Sequence, residues 1–270
     1  MAPVIVVTGA SRGKLFLSNP RRRWTSVLAL GLGAAIARQL LSPPISANVV
    51  LVARTESGLK PFAEEFPNQV AYLTGDLSAD QVNQDAIKLA ISKFGKLDGI
   101  VFNAAILDPI AKVGKADIAA WRKLYDVNFF SLIVALKEAV PYLQESKGKV
   151  VFISSGAAHH YFYGWGAYGS SKAATDHLAA TLAAEEPDIF SISLDPGVMD
   201  TNMQDALREK HGSEMSPSEH ERFLKLKSDG GLSPPEVPGN VAVNLVLKGG
   251  PEVNGKTLRF TAPELAEYAK

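Results

Sequence analysis

Several features are missing from this chain of 270 residues, and each absence excludes a class of protein. The chain has no cysteine, which excludes disulfide bonds and thiolate metal sites and suits a reducing compartment. Its 28 basic residues equal its 28 acidic residues, so net charge does not favour nucleic acid or an anionic membrane. No apolar run approaches the length of a membrane span, and residues 1–7 lack the basic start of a signal peptide. We therefore expect a cytoplasmic protein that binds neither nucleic acid nor membrane.

What is present is enough apolar sequence, 46% of the residues, to bury the core of one domain. Short apolar runs alternate with amphipathic stretches, which is typical of a parallel sheet covered by helices. We predict strands at 3–7, 48–53, 70–73, 99–102, 150–153, 190–194 and 256–260, and helices at 31–41, 59–66, 81–94, 118–143, 167–185 and 234–247. The polar segment 202–231 is predicted to be a mobile lid over the substrate; a variable surface excursion is the alternative.

A phenol, an ammonium and a hydroxyl are spaced so that they can share one proton. Tyr168 and Lys172 are four residues apart in a predicted helix, so both side chains lie on one face. Because a nearby ammonium stabilises a phenolate, we expect Lys172 to lower the pKa of the Tyr168 phenol. Ser155 follows a predicted strand, so its hydroxyl lies at the edge of the sheet where such folds bind ligands. An ordinary helix start fits the same residues, so this motif needs support from the rest of the chain.

A glycine-rich turn that suits a phosphate follows the first strand, but it is interrupted. Its first half contains Thr8, Gly9, Ser11, Arg12 and Gly13, and its second half contains Gly31, Leu32 and Gly33. Deleting residues 14–31 joins the halves as TGASRGLGAAIARQLL, an unbroken turn that runs into a helix. We hypothesise that residues 14–31 are a translated intron or a gene-model error, because the flanking codons can carry splice signals in frame. A transcript that reads through unspliced would refute this; the alternative is a genuine basic surface loop in which 21–23 contact a partner.

Residues that follow three further predicted strands suit contacts with a dinucleotide. Arg54 follows the second strand, where an acidic residue would bond a ribose 2′-hydroxyl and an arginine suits a 2′-phosphate. With Arg12, Arg54 favours NADP(H) over NAD(H), and a solvated loop charge is the alternative. Asp76, beside Leu77, either accepts a hydrogen bond from the adenine amino group or caps the next helix. Small residues after Asn103 allow the backbone to approach the cofactor closely.

Two more polar features point to the same edge of the sheet. Pro196 and Gly197 force a sharp turn after a strand, so that the Val198 backbone and the Thr201 hydroxyl can reach a carboxamide or phosphate. Asn128 lies in the middle of the predicted helix 118–143 and is a poor helix former. We therefore expect it to have a polar task, such as holding a water beside Lys172, with a surface position as the alternative.

Taken in order, these motifs resemble the short-chain dehydrogenase/reductase family over the whole chain except residues 14–31. They are the interrupted TGxxxGxG loop, NAA in place of NAG, the tetrad Asn128, Ser155, Tyr168 and Lys172, and the Pro-Gly turn. The resemblance implies one α/β domain over residues 1–270, a Rossmann-type doubly wound seven-stranded parallel sheet of order 3-2-1-4-5-6-7. The cofactor contacts then expected are Thr8, Gly9, Ser11, Arg12, Gly13, Gly31, Leu32, Gly33, Arg54, Asp76, Leu77, Asn103, Tyr168, Lys172, Pro196, Gly197, Val198 and Thr201. The run 195–204 is similar to sepiapterin reductases and to benzil and diketone reductases.

The resemblance also implies a mechanism, reversible hydride transfer between NADP(H) and a carbonyl carbon. In it Tyr168 donates the proton and Ser155 holds the carbonyl oxygen. Lys172 binds the nicotinamide ribose and lowers the phenol pKa, while Asn128 anchors a water for proton relay. The family's dimers imply a homodimer through the helices 118–143 and 167–185.

The residues between the tetrad serine and tyrosine predict the substrate class. His159, His160, Tyr161, Phe162, Tyr163 and Trp165 are expected to line an aromatic pocket for aryl or pterin-like carbonyl substrates. A metal site is not expected, because adjacent histidines on an extended segment point apart and no third ligand is near in sequence. A second class of function remains, because residues 14–31 separate the phosphate loop from the helix that should hold the anion. On that alternative the chain is a cofactor-deficient inactive homologue or a scaffold.

Overall fold

The computed structural model describes residues 2–10, 31–209, 211–212 and 214–270. Their centre is a parallel sheet with the strand order β3-β2-β1-β4-β5-β6-β7, which confirms the predicted order. The strands are β1 (Val4–Thr8), β2 (Asn48–Ala53), β3 (Val70–Thr74), β4 (Gly99–Phe102), β5 (Lys149–Ile153), β6 (Phe190–Asp195) and β7 (Thr257–Arg259). The order reverses between β1 and β4, and the carboxyl edge beside that reversal is where open α/β sheets bind ligands.

The helices cover both faces of this sheet. They are α1 (Leu32–Leu41), α2 (Lys60–Glu65), α3 (Asp80–Phe94), α4 (Ile118–Tyr125), α5 (Ser131–Ser146), α6 (Gly166–Glu185), α7 (Asn202–Glu209), α8 (Pro217–Ser228) and α9 (Glu236–Lys248). Ile5 and Val7 of β1 face a core shared with α1 and α9, whereas Val4 and Val6 face a core shared with α3, α5 and α6. Alternate side chains of one strand therefore enter two cores, which explains why the strands read as unbroken apolar runs. No helix within these described ranges has the length and hydropathy needed to cross a membrane.

The predicted helical stretch over 118–143 is present, but it is not a regular α-helix throughout. After α4 the backbone widens into a π-helical turn, Asp126–Phe130, before α5 begins. Asn128 lies in this turn and is buried, with 1% of its surface exposed. Its side chain holds the backbone of Ile106: Oδ1 accepts from the Ile106 N–H at 2.8 Å and Nδ2 donates to the Ile106 carbonyl at 2.9 Å. The π-helical turn thus places an amide that periodicity alone would assign to an ordinary helix.

Candidate active site

The three residues of the proton-sharing motif lie at the carboxyl end of β5 and the start of α6. Ser155 comes two residues after β5, and Tyr168 and Lys172 are one turn apart near the N-terminus of α6. All three line one cavity of about 300 Å³. The helix start packs so closely that Tyr168 and Lys172 are almost fully buried, yet both reach the cavity wall. The arrangement can therefore present a hydroxyl pair and an amine to a ligand.

The protonation of this group differs from the expected direction. Burial raises the pKa of Tyr168 to about 12, with a contribution from the charge of Asp195, although a hydrogen bond with Ser155 partly lowers it. Burial lowers the pKa of Lys172 to about 8, while the Asp176 carboxylate one turn later opposes that shift. The Lys172 ammonium donates to the Ile153 carbonyl at 2.6 Å and lies 5.8 Å from the centre of the Tyr168 ring. The pKa of the Tyr168 phenol is therefore not lowered as expected, because burial is the largest influence on it and Lys172 is not among the causes.

Asn128 stands behind this group and not in the cavity wall. Besides holding Ile106, its Nδ2 lies 3.2 Å from the Ser171 hydroxyl on α6. Ile106 itself lines the cavity. The side chain of Asn128 thus ties the cavity wall to the helix that carries Tyr168 and Lys172, and its two polar atoms are engaged by protein groups instead of facing Lys172.

The two halves of the interrupted glycine turn meet in space. A Cβ built on Gly33 would lie 2.5 Å from Asn103 Nδ2 and 2.7 Å from the Gly9 carbonyl oxygen, so only glycine permits this approach. Gly9 has a positive φ of 74°, and Asn103 Nδ2 donates to the carbonyls of Thr8 and Gly9 at 2.9 and 3.2 Å. The expected contact of Thr8 with the cofactor is not seen in the cavity wall; its hydroxyl instead accepts from the Asn103 and Ala104 N–H groups. Bare backbone at the start of α1 fits a pyrophosphate.

The remaining expected cofactor contacts divide into two groups. Those that line the same cavity are Gly9, Gly31, Leu32, Gly33, Arg54, Asp76, Leu77, Asn103, Pro196, Gly197, Val198 and Thr201. Ser11, Arg12 and Gly13, and residues 14–30 of the interruption, lie outside the described residues.

The adenosine end of the cavity holds a polar cluster. Asp76 Oδ1 accepts from the Ser78 N–H at 3.0 Å and from the Ser78 hydroxyl at 2.9 Å, and Oδ2 accepts from the Lys123 ammonium at 2.8 Å. These bonds hold the pKa of Asp76 down to about 2, with the Lys123 hydrogen bond the largest cause. The expectation that Asp76 caps the next helix is wrong, because the N-cap of α3 is Ala79, with no side-chain cap hydrogen bond, and Asp76 instead bonds Ser78 in the turn before the helix. Lys123, which sequence reasoning missed, lines the cavity beside it.

The opposite end of the cavity is aromatic. Phe162, Trp165 and Phe223 all line it, and the rings of Trp165 and Phe223 stack with centroids 5.9 Å apart and an interplanar angle of 4°. Phe223 comes from α8, so this helix within segment 202–231 lies over the site. Arg222 also lines the cavity and stands 5.8 Å from the Phe162 ring. These rings form an aromatic slot, and the Arg222 guanidinium lies beside it.

The prediction for the run 159–165 is half right. His160, Phe162 and Trp165 line the cavity, as expected. Tyr161, fully exposed, and Tyr163 do not, and the His159 ring lies 3.0 Å from Asp176. The backbone turns at 159 and again at 163–164, so only part of the run faces the site.

Sequence reasoning also missed several wall residues that come from distant segments. They are Lys123, Asp195, Arg222, Phe223 and Arg259. Asp195 belongs to the run that marks the Pro-Gly turn, so its place at a strand end was a usable signal. Arg259 ends β7 and carried the same signal, whereas Lys123, Arg222 and Phe223 depend on packing between helices that no local pattern reveals.

A doubly wound sheet with a glycine cradle at its centre is the architecture of dinucleotide-dependent oxidoreductases. The family model for the short chain dehydrogenases matches residues 28–212, and the chain belongs to that family. Its members use nicotinamide cofactors and are oxidoreductases.

Named relatives and solved structures agree with this assignment. The chain is 37% identical over 277 residues to a benzil reductase, (S)-benzoin forming, of Saccharomyces cerevisiae, with 98% of each chain covered. It is 32% identical over 244 residues to the sepiapterin reductase of Mus musculus, covering 85% of each. The crystal structure of a short chain dehydrogenase/reductase from Saccharomyces cerevisiae superimposes with a TM-score of 0.91 at 39% identity, over 100% of both chains. The resemblance stated from the motifs is thus confirmed.

Proposed function

We propose that the protein is an NADPH-dependent reductase of ketones and dicarbonyls that carry an aryl or pterin-like group. The observation that carries this proposal is the convergence, on one cavity, of Ser155, Tyr168 and Lys172 with the glycine cradle at one end and the aromatic slot at the other. The relatives named benzil reductase and sepiapterin reductase support the substrate class.

In the proposed reaction the bound nicotinamide supplies a hydride to the carbonyl carbon, and the protein supplies orientation and the proton. The Ser155 hydroxyl donates to the carbonyl oxygen. Tyr168 donates its proton to that oxygen as negative charge develops there. Its raised pKa keeps the phenol protonated at neutral pH, so Tyr168 has a proton to donate. The Lys172 ammonium stabilises the phenolate that remains and binds the nicotinamide ribose.

Asn128 takes a positioning role in this proposal. Its bonds to Ile106 and Ser171 fix α6 relative to the cavity wall. A water relay to Lys172, if it starts at this residue, has to start at its backbone, since the side-chain atoms are engaged.

The preference for NADPH over NADH rests on Arg54. This arginine follows β2, is exposed and lines the cavity, and within the described ranges no ion pair involves it. A guanidinium at this strand end suits a 2′-phosphate. The neighbouring cation, Lys123, is by contrast already paired with Asp76.

The segment 202–231 acts as the substrate lid in this proposal. It brings Phe223 to the aromatic slot. Its polar contacts with the rest of the chain include Glu219 Oε1, which accepts from the Tyr163 N–H at 3.0 Å, Lys227, which pairs with Asp200 at 2.6 Å, and His211, which lies 3.2 Å from Asp108. Exposed ion pairs contribute about 1 kcal/mol or less each, but Leu207, Met215 and Phe223 are buried in one apolar cluster with Trp165 and Tyr168, so opening the segment costs mainly this apolar packing.

The test is a comparison of kcat/KM for NADPH and NADH with benzil, other aryl diketones and pterins, set against simple sugars and steroids. We expect the aryl diketones or pterins with NADPH to be best, and Arg54→Ala to reduce the preference for NADPH about tenfold or more. Preference for sugars or steroids, or an Arg54→Ala variant with unchanged cofactor preference, would contradict the proposal. The exposed Lys60→Ala, on α2, is the matched control.

Assembly and location belong to the proposal as well. A homodimer through the α4–α5 and α6 surfaces is supported by Phe130 and Ile133, which are exposed on this side at 51% and 39%.

A cytoplasmic location is supported by a structural neighbour of 39% identity and TM-score 0.80 that is described as a cytoplasmic protein of Saccharomyces cerevisiae.

A further inference from the structure

A carboxylate stands in the substrate end of the cavity. Asp195 is the last residue of β6, is half-buried and lines the cavity with Ser155 and Tyr168. One of its oxygens is fixed, because Oδ1 accepts from the Gly197 N–H at 2.9 Å. Its backbone is fixed too, because its carbonyl accepts from the Phe260 N–H at 2.9 Å. The side chain is therefore held in one orientation.

The second oxygen of Asp195 is open to a ligand. Oδ2 accepts no hydrogen bond and joins no ion pair within the part of the chain that the structure describes. It lies 3.6 Å from where a Cβ on Gly156 would stand, next in sequence to Ser155, and His160 Cδ2 lies 3.7 Å from the same point. The oxygen thus lies close to the backbone of the residue that follows Ser155, and both residues line the same cavity.

The carboxylate is also close enough to the reacting phenol to affect it electrostatically, since its charge is among the causes that raise the pKa of Tyr168. Of the cations that line the cavity, Arg259 lies opposite Asp195 in the register of β6 and β7, and its Nη2 is 3.3 Å from where a Cβ on Gly197 would stand. Within the described residues no ion pair joins Arg259 to Asp195, Lys172 donates to Ile153, and Arg222 lies over the Phe162 ring. Oδ2 of Asp195 therefore presents a negative acceptor to a ligand, whereas Arg222 presents a positive group beside the Phe162 ring.

We propose that Asp195 selects substrates at the atom next to the reactive carbonyl: its Oδ2 accepts a hydrogen bond from a hydroxyl or amide N–H group there and repels a carboxylate. This inference rests on the proposed reduction of aryl carbonyls by Ser155 and Tyr168. The preferred class is then α-hydroxy ketones and α-oxo amides, and α-oxo acids are rejected. A carboxylate on the far side of an aryl ring is tolerated, since it meets Arg222.

An isosteric pair of substrates tests the charge directly. Phenylglyoxylamide and phenylglyoxylate have the same shape, and only the second places a negative charge beside the ketone. Two unit charges about 5 Å apart in a partly buried site interact strongly enough for roughly a hundredfold effect. We expect wild type to favour the amide in kcat/KM, and Asp195→Asn to shift the amide-to-acid ratio towards the acid by about ten- to a hundredfold. Taking the change in ratio removes the different intrinsic reactivity of the two ketones.

Two further variants and one further substrate separate an effect of the Asp195 charge from misfolding and from a general effect of charge. Asp195→Ser also removes the charge and keeps an acceptor for the Gly197 N–H, so it should shift the ratio in the same direction if Asp195→Asn folds poorly. Asp188→Asn, an exposed change beyond the other end of β6, should leave the ratio within about twofold, because the charge it removes is distant and screened. Para-acetylbenzoate should be reduced with little change in any of these variants.

The outcomes distinguish this inference from the function on which it rests. An unchanged amide-to-acid ratio in Asp195→Asn and Asp195→Ser, with normal benzil reduction and NADPH binding, overturns the role of Asp195 alone. A wild type that has an equally low kcat/KM for para-acetylbenzoate and for phenylglyoxylate also overturns it, because general exclusion of anions would then be the cause. A wild type that reduces no carbonyl with NADPH overturns the proposed function and this inference together.

Discussion

Lys172 should destabilise the folded protein at neutral pH, and replacing it with methionine should make the protein more stable while it removes activity. The side chain is 3% exposed, and its pKa falls from 10.5 to about 8 on burial. Each pKa unit corresponds to about 1.4 kcal/mol, so keeping the ammonium buried at about pH 7 costs roughly 3 kcal/mol. Loss of the hydrogen bond to the Ile153 carbonyl takes back about 1 kcal/mol. The expected net gain for Lys172→Met is about 2 kcal/mol in the free energy of unfolding.

The pH dependence gives the sharper criterion. The folded pKa of Lys172 lies below the unfolded one, so between about pH 8 and 10.5 the unfolded wild type binds more protons and its stability rises with pH. The cost of burying the charged amine is therefore absent above about pH 10.5, where the amine is neutral in both states, and is complete once the pH has fallen below about 8. The Lys172→Met variant has no such cost at any pH. The stability difference between Lys172→Met and wild type should therefore shrink by about 2 kcal/mol between about pH 7 and pH 9.5.

Urea unfolding at several pH values, with the cofactor left out, measures both quantities. Lys137→Met, an exposed change on α5, is the matched control and should follow the wild-type pH profile. The claim that burial of the Lys172 ammonium destabilises the fold would be refuted if the free energy of unfolding of Lys172→Met and wild type changed in parallel with pH. It would also be refuted if Lys172→Met were less stable than wild type at about pH 7.

Three further predictions use other parts of the site. Gly33→Ala should weaken NADPH binding about tenfold or more, because its Cβ would collide with the Asn103 amide and the Gly9 carbonyl, whereas Gly114→Ala, with open space around it, should bind normally; equal fluorescence titrations would contradict the cradle. Phe223→Ala should raise KM for benzil several-fold with a smaller effect on kcat, since it removes the stacked wall of the slot; a fall in kcat alone would contradict a binding role. Deletion of residues 14–31 should tighten NADPH binding relative to the full chain, because it makes the glycine-rich turn continuous with the helix start, and equal binding would show that the segment is harmless.

Much of the fold follows from simple patterns in the chain. Strands such as β1 and β5 are buried on both faces, so they appear as short apolar runs between turn residues. Ser155, Tyr168 and Lys172 were predictable as a group because one follows a strand and two share a helix face.

Other features depend on tertiary packing and leave no local trace. Phe223 reaches the cavity only because α8 folds back over it, and Asn128 lies in a π-helical turn that an average helical period hides. The pKa of Tyr168 moves upwards because the surrounding structure excludes water, a quantity that spacing along the chain cannot supply. Gly9 and Gly33 were expected to belong to one turn, but their contact across the intervening residues is visible only in space.

The central claim is that the Tyr168 hydroxyl delivers the proton that accompanies hydride transfer, and the Tyr168→Phe variant measures it most directly. We expect this variant to bind NADPH with wild-type affinity and to consume it with benzil at least about a hundredfold more slowly, since only the acidic hydrogen is removed. Wild-type turnover by Tyr168→Phe, with NADPH bound normally, would contradict the account.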